Sequence, residues 1–321
     1  MDFLEKLTQT DGVSGHEQAV TAAIWAEAAK YADEIRTDPL GNLIVRKQGT
    51  GKKILFAAHM DEIGIVVTYI DEHGFLRFSG VGGLEKRDLA GRRVRFANGT
   101  VGVIGTEENN QDRDVAKLYI DIGAEDRQHA QELVAVGDTA AFVGGFARGN
   151  GIVTAKALDN RIGCYALLEA INQIQSPNDL YFVFTVQEEV GLRGAKTAAF
   201  DIMPDFAVAI DVTDTGDTPN APKMAVKLGK GAAVKIMDRS VICSANVRTA
   251  LIALAKEHKI PYQLEVMTDG GTDAGALSLT GAGIQTGGIS IPCRYIHSPS
   301  EMISEKDVRA AVDLIAAYAA I

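Results

Sequence analysis

Apolar residues in the second half of the chain come in short unbroken runs, YFVFTV at 181–186, FAVAID at 206–211 and a stretch at 284–291. Runs of that length, closed off by turn residues, fit strands buried on both faces. Apolar positions at helical intervals separate them, predicting helices over 160–174, 193–200, 245–258, 273–279 and 305–320, with one more strand at 262–267. This alternation predicts an α/β fold, a mostly parallel sheet covered by helices. Nearer the amino terminus Val20, Ala23, Ile24 and Ala28 recur with helical spacing, and Ser14 and Glu17 stand as a capping box ahead of a helix over 15–32. A strand at 43–46 and two more at 54–58 and 63–67 follow.

Between 68 and 150 the texture changes. Short strand patterns at 75–79, 92–96, 100–106, 117–120 and 139–142 are separated by turn signals such as Asn98-Gly99, with little helical periodicity between them. The expected organisation is a catalytic α/β domain over 1–67 and 151–321, with a small β-rich domain inserted over 68–150.

The run ILFAAHMDEIGIVV at 54–67 is interrupted by His59, Asp61 and Glu62, and uncompensated charge is costly in such a setting. His59 alone would be read as closing a turn. Other chemically capable residues, however, also follow predicted strands, where ligands of α/β sheets collect. Glu188 and Glu189 follow the strand at 181–186, Asp211 ends the next, and His297 comes after the strand at 284–291. Asp159 opens a helix, where it could equally be an ordinary N-cap. Imidazoles and carboxylates converging on one edge suit two divalent cations, zinc, cobalt or manganese rather than calcium. His59, Glu189, Asp211 and His297 can serve as terminal ligands, and Asp159 can bridge. Asp61 can orient the His59 ring, and Glu188 remains as general base for a metal-activated water. His16, His73, His129 and His258 read as surface residues.

Bulk properties narrow the choice further. At 321 residues, 46% hydrophobic and 23% charged, the chain has the composition of a globular protein, and its net charge of −10 argues against a nucleic-acid partner. Neither a membrane-length apolar segment nor a signal-peptide pattern is evident in MDFLEKLTQT or beyond, which predicts a cytoplasmic protein without a membrane partner. Cys164, Cys243 and Cys293 are isolated in apolar settings and read as buried thiols.

The segments AAHMDEIG, ALDNRIG, TVQEEVGLRGA, AIDVT, DGGTDAGA and IHSPSEMI, in this order, resemble the M42 family of metalloaminopeptidases, which includes glutamyl aminopeptidases and the tetrahedral (TET) peptidases. The likeness extends over nearly the whole chain, including GVGGLEKRDLAGRRV at the start of the insert. It implies the same roles: His59, Asp159, Glu189, Asp211 and His297 on metal, Glu188 as base, Asp61 as orienter. It also places Asp273 near the substrate, although a helix cap explains that residue equally well. The implied activity is removal of amino-terminal residues from short peptides by a metal-bound hydroxide, in a dimer-based, commonly twelve-subunit, shell built through the insert. A related carboxypeptidase or deacylase is the nearest alternative. A glycosidase needs two facing carboxyls and no metal, and stands further off despite cellulase labels on relatives. A purely structural metal cluster would be closed and cysteine-rich. Arg239 and Lys230 could favour an acidic substrate residue or be plain surface charges.

Overall fold

The computed structural model describes residues 2–84, 89–108 and 114–321. Helices α1 (Phe3–Gln9) and α2 (Gln18–Ala28) lead into strands β1 (Glu34–Thr37), β2 (Leu43–Lys47) and β3 (Lys53–His59). The β-rich segment follows as β4 (Gly64–Ile70), β5 (Leu76–Val81), β6 (Arg93–Phe96), β7 (Val101–Thr106), β8 (Leu118–Asp121), α3 (Arg127–Leu133) and β9 (Thr139–Phe142). The chain returns through β10 (Ala147–Gly149), β11 (Ile152–Ala155), α4 (Leu158–Gln173), β12 (Asp179–Thr185), α5 (Arg193–Ile202) and β13 (Phe206–Thr213). It ends with β14 (Ala232–Met237), α6 (Ala245–Glu257), β15 (Tyr262–Val266), α7 (Asp273–Ser278), β16 (Gln285–Arg294), β17 (Glu301–Ser304) and α8 (Glu305–Ala319).

Among the described residues, eleven strands form one sheet in the order β1-β2-β12-β3-β13-β16-β17-β11-β10, with β14 on β16 and β15 on β14. The sheet is mixed rather than mostly parallel. Its centre, β12-β3-β13-β16, is parallel, whereas β1, β2, β17, β11 and β10 pair antiparallel at the margins. Helical crossovers make the centre parallel, and short hairpin links at the margins do not need them.

The apolar runs are explained by burial on both faces. Along β3, Ile54, Phe56 and Ala58 face one core with α1, α2, α4, α6 and α8, while Leu55 and Ala57 face the other with α5 and α7. Phe56 stacks on Phe182 at 5.5 Å and meets Tyr318 edge-on at 6.3 Å, and burying a side chain of this size contributes about 1.5–3 kcal/mol.

The six strands β4-β5-β8-β7-β6-β9 close into a barrel filled by residues such as Ile65, Val94, Ile104, Ile120 and Phe142. Because β4 begins at Gly64, the expected boundary between 67 and 68 falls inside a barrel strand, and β10 already belongs to the main sheet. The short helix α3 lies in the insert, where the sequence showed little helical pattern. Of the stretch 80–94 that carries the family likeness into the insert, residues 85–88 lie outside the described residues.

Candidate active site

The site lies where neighbouring strands part. β3 and β13 stop pairing at Ala57 and Ala209, while β3 continues beside β12 as far as His59 and Thr185. Asp211, two residues beyond the last β3 contact, therefore faces a crevice, and β3 delivers His59 to the same opening. A cleft of about 790 Å³ is lined there by His59, Asp159, Glu188, Glu189, Asp211 and His297.

Asp159 is at the centre. Its Oδ1 is 3.0 Å from His59 Nε2, and its Oδ2 is 3.4 Å from His297 Nε2. His59 Nε2 is also 3.7 Å from Asp211 and 3.9 Å from Glu188, and His297 Nε2 is 3.2 Å from Glu189 Oε1. Two three-donor sets, His59 with Asp159 and Glu189, and His59 with Glu188 and Asp211, have donor atoms within 4.8 Å of one another. All five residues expected on metal, and the expected base, thus come together. These distances alone do not divide the roles of Glu188 and Glu189.

The cap expected of Asp159 is made by another residue. Asp159 has non-helical φ −76° and ψ 105°, its peptide bond to Asn160 is cis, and Asn160 Oδ1 accepts the N–H of Gly163. The backbone N–H of Asp159 donates to Glu301 Oε2 at 2.8 Å, and that of His297 donates to Glu301 Oε1 at 2.9 Å. One buried carboxylate thereby sets the distance between two central residues. Sequence reasoning missed Glu301; its only signal was an acid four residues after His297 in an otherwise apolar strand.

Asp61 is fully buried behind the site. Its Oδ1 accepts the N–H of Glu188 at 3.0 Å and lies 3.4 Å from His59 Nδ1; its Oδ2 accepts the N–H of Glu189 at 3.2 Å. Asp273 is buried too. Thr185 Oγ1 donates to its Oδ2 at 2.6 Å, while its Oδ1 has no partner, so it is not a helix cap. Arg239 lines the cleft, largely exposed and 3.7 Å from Asp269, whereas Lys230 is exposed and lines none of it. His16, His73 and His258 are exposed and His129 is half-buried, and the three cysteines are buried and free.

Below the cleft, Glu62 pairs with Lys156 Nζ at 2.6 Å and with Arg161 at 3.3 Å, all three buried. Arg161 also donates to the carbonyls of Leu7, Thr10 and Met60. These bonds fix the start of α4, and with it Asp159, against the end of β3. From the barrel side, Gly82 holds φ +81° with Glu189 Cβ only 3.1 Å from where its own Cβ would stand, and a Cβ on Gly83 would lie 3.2 Å from the His297 ring. Only glycine allows that approach.

The electrostatics are those of an anionic cluster short of positive charge. Burial pushes the Glu188 carboxyl well above the ordinary range; His59 opposes this, and Asp211, Asp273 and Glu189 add to it. Burial likewise raises Asp211 well above its usual value and Asp273 to about 6. Burial disfavours a charged His297, yet its contacts with Asp159 and Glu189 push it up to about 12. Asp159 is held below the carboxylate range despite burial, by the bonds to His297 and His59. Glu189 Oε1 is buried and lacks an aligned hydrogen bond even though His297 is near. Imidazole and carboxylate donors in this excess, with one carboxylate shared and an orphaned oxygen, fit divalent cations.

Residues 41–314 match the family described as M42 glutamyl aminopeptidase. A provisionally named aminopeptidase of Acetivibrio thermocellus is 54% identical over 318 residues, covering 98% of this chain and 96% of its own length. Lysyl aminopeptidase of Pyrococcus furiosus is 33% identical over 98% of this chain and 94% of its own. Among solved structures, the Pyrococcus horikoshii TET1 peptidase, described as assembling into a tetrahedron or a large octahedral shell, superposes with TM-score 0.89 at 38% identity, covering 99% of this chain and 98% of that one. On this fold, such likenesses define a hydrolase of peptide bonds, of the aminopeptidase class. The chain belongs to the M42 peptidase family. Its sheet is mixed, as found, and no helix among the described residues is long and apolar enough to cross a membrane.

Proposed function

We propose that the protein is a dinuclear-metal aminopeptidase that trims short peptides from a free amino terminus. The observation that carries this reading is Asp159, whose two carboxylate oxygens face two different imidazoles. Two divalent cations, zinc or cobalt and otherwise manganese, held by His59, Asp159 and Asp211 and by Asp159, Glu189 and His297, would activate a water and polarise the scissile carbonyl. Glu188, which lines the cleft, accepts the proton of that water and passes it to the leaving nitrogen. Glu189 lies 3.2 Å from His297 and would share a cation with it, which leaves Glu188 for this work. Asp61 holds the His59 ring and the Glu188–Glu189 backbone in register. Asp273 is bonded to Thr185 and acts electrostatically on Glu188 and Asp211, but it does not line the cleft, so its part would be to support the cluster and not to touch substrate.

The metals of this reading favour a free amino terminus. A neutral terminal amine could donate its lone pair to a cation, whereas an acylated nitrogen has given that pair to its amide, so a blocked peptide would lose the alignment that coordination provides. We expect stepwise loss of amino-terminal residues from short peptides, abolished by chelators, restored by zinc or cobalt, and reduced at least about 100-fold by amino-terminal acetylation. Chromatography of the products checks this. Release of carboxyl-terminal residues, or equal rates on acetylated peptides, would point to the carboxypeptidase or deacylase, and chelator-resistant hydrolysis of a β-glucan in place of peptides would point to the glycosidase.

The same reading gives the barrel an assembly role within a cytoplasmic shell of twelve subunits built from dimers. Val101 and Val103 on β7 are exposed at 48% and 44%, as befits a surface that is covered in an oligomer. Light scattering should find particles far above the 34.2 kDa of one chain, and a monomer at every metal concentration would refute the assembly.

A further inference from the structure

Ser14 and Glu17 have the spacing of a helix cap, yet neither caps α2: the N-cap position, Glu17, makes no side-chain cap bond. Both side chains turn toward the site. Ser14 Oγ, in a residue 8% exposed, donates to Asp61 Oδ2 at 2.6 Å. Glu17, 4% exposed, accepts the N–H of Gly15 at 2.7 Å and that of Gln187 at 3.1 Å on one oxygen, Oε1. The segment that carries them is bound to the end of β3 from both sides. Glu62 N–H donates to the Gly12 carbonyl, Ser14 N–H to the Glu62 carbonyl, and Gly12 N–H to Glu62 Oε1.

We propose that Ser14 and Glu17 are positioning residues, a clamp of residues 12–17 that fixes Asp61 and the turn carrying Glu188 and Glu189. The proposal deepens the dinuclear aminopeptidase reading and rests on it.

Two physical arguments support the clamp. The first is saturation of the Asp61 carboxylate. Each of its oxygens serves the turn through one backbone N–H, Oδ1 also faces His59, and Oδ2 also takes the Ser14 hydroxyl. Three hydrogen bonds, with the His59 ring 3.4 Å from Oδ1, leave the carboxylate one orientation, while His59 Nδ1 itself is 3.2 Å from the Asp61 carbonyl. Without the hydroxyl, a buried oxygen is left short of a donor, and rotation of the carboxylate disturbs His59 and both turn amides together. The second is backbone strain. Gln187, immediately before Glu188, is held at φ +55°, a conformation that is unfavourable for a residue with a side chain and persists only where its surroundings enforce it. Glu17 supplies a hydrogen bond at that very residue. Outer partners of this kind tune the ligands they hold without touching substrate.

The test is zinc binding to the metal-free protein by competition with a chromophoric chelator, alongside steady-state kinetics and thermal unfolding. Ser14→Ala should weaken zinc binding about 10-fold or more and lower kcat by a similar factor, with KM changed by less than about 2-fold. Ser14→Thr, which keeps the hydroxyl, should recover much of both. Glu17→Gln retains an oxygen for the two N–H groups and should stay near wild type, whereas Glu17→Ala should lose kcat. If Ser14→Ala or its threonine counterpart fails to fold, the Glu17 pair decides. Wild-type zinc binding and turnover that persist in Ser14→Ala and Glu17→Ala overturn the clamp alone. A wild-type protein that binds no zinc overturns the metal reading and the clamp with it.

Discussion

If Glu188 is the proposed base, Glu188→Gln should lower turnover by about two to four orders of magnitude with metal content unchanged, the largest effect expected of any single substitution here. The amide has nearly the shape of the carboxylate and leaves the backbone N–H of residue 188 on Asp61. It cannot take up a proton from water, so the loss should fall on kcat and not on assembly or metal content. Metal analysis by mass spectrometry together with initial rates on a chromogenic aminoacyl substrate measures both. Near-normal turnover at full metal content would move the base to another group, and Glu189 would be the first to test.

Asp159→Asn should have the broadest effect on metal binding. Only one of the two atoms facing His59 and His297 remains an acceptor in the amide, so the shared ligand is lost whichever way the amide turns. Occupancy of both positions should fall by more than the roughly 10–100-fold typical of losing an outer hydrogen-bond partner, whereas Asp211→Asn should weaken chiefly one. The Glu301 bond goes to the backbone N–H of residue 159 and survives the substitution, which keeps the fold out of the comparison. Titration of the metal-free variant that still finds two tight positions would refute the bridge.

The central strands were legible because burial on both faces leaves an unmistakable mark, five consecutive apolar residues from Ile54 to Ala58. The site residues were legible for a related reason, since charge stands out where such strands end. What could not be read is instructive. Strands β10 and β17 are three and four residues long, too short for a period to show, and β14 carries buried Lys235, whose partner Glu265 lies on the neighbouring strand β15. The chain passes from the main sheet to the barrel between β3 and β4, across the residues that include Asp61 and Glu62, and because similar apolar strands stand on both sides composition gave no boundary there. Local spacing misled at Ser14 with Glu17, and at Asp159 it offered a helix cap beside the metal role. In each case side chains suited to a helix end found stronger partners from distant parts of the chain, 47 residues away for Ser14 and 100 for Asp159. Glu301 left only a faint signal because it acts on backbone N–H groups, and those partners have no residue type to read in a sequence.

The ion pairs beneath the site also determine how the protein responds to heat. Hydration of charged groups becomes less favourable as temperature rises, so the cost of keeping Glu62, Lys156 and Arg161 out of water falls on warming, while the gain from apolar burial levels off. Salt reaches them poorly, since buried pairs are screened far less than exposed ones. The ground on which Asp159 stands therefore grows relatively firmer in hot, saline solution. Thermal loosening should start instead at margins such as β10, whose three residues are all exposed, and amide hydrogen exchange there ahead of α4 would show it.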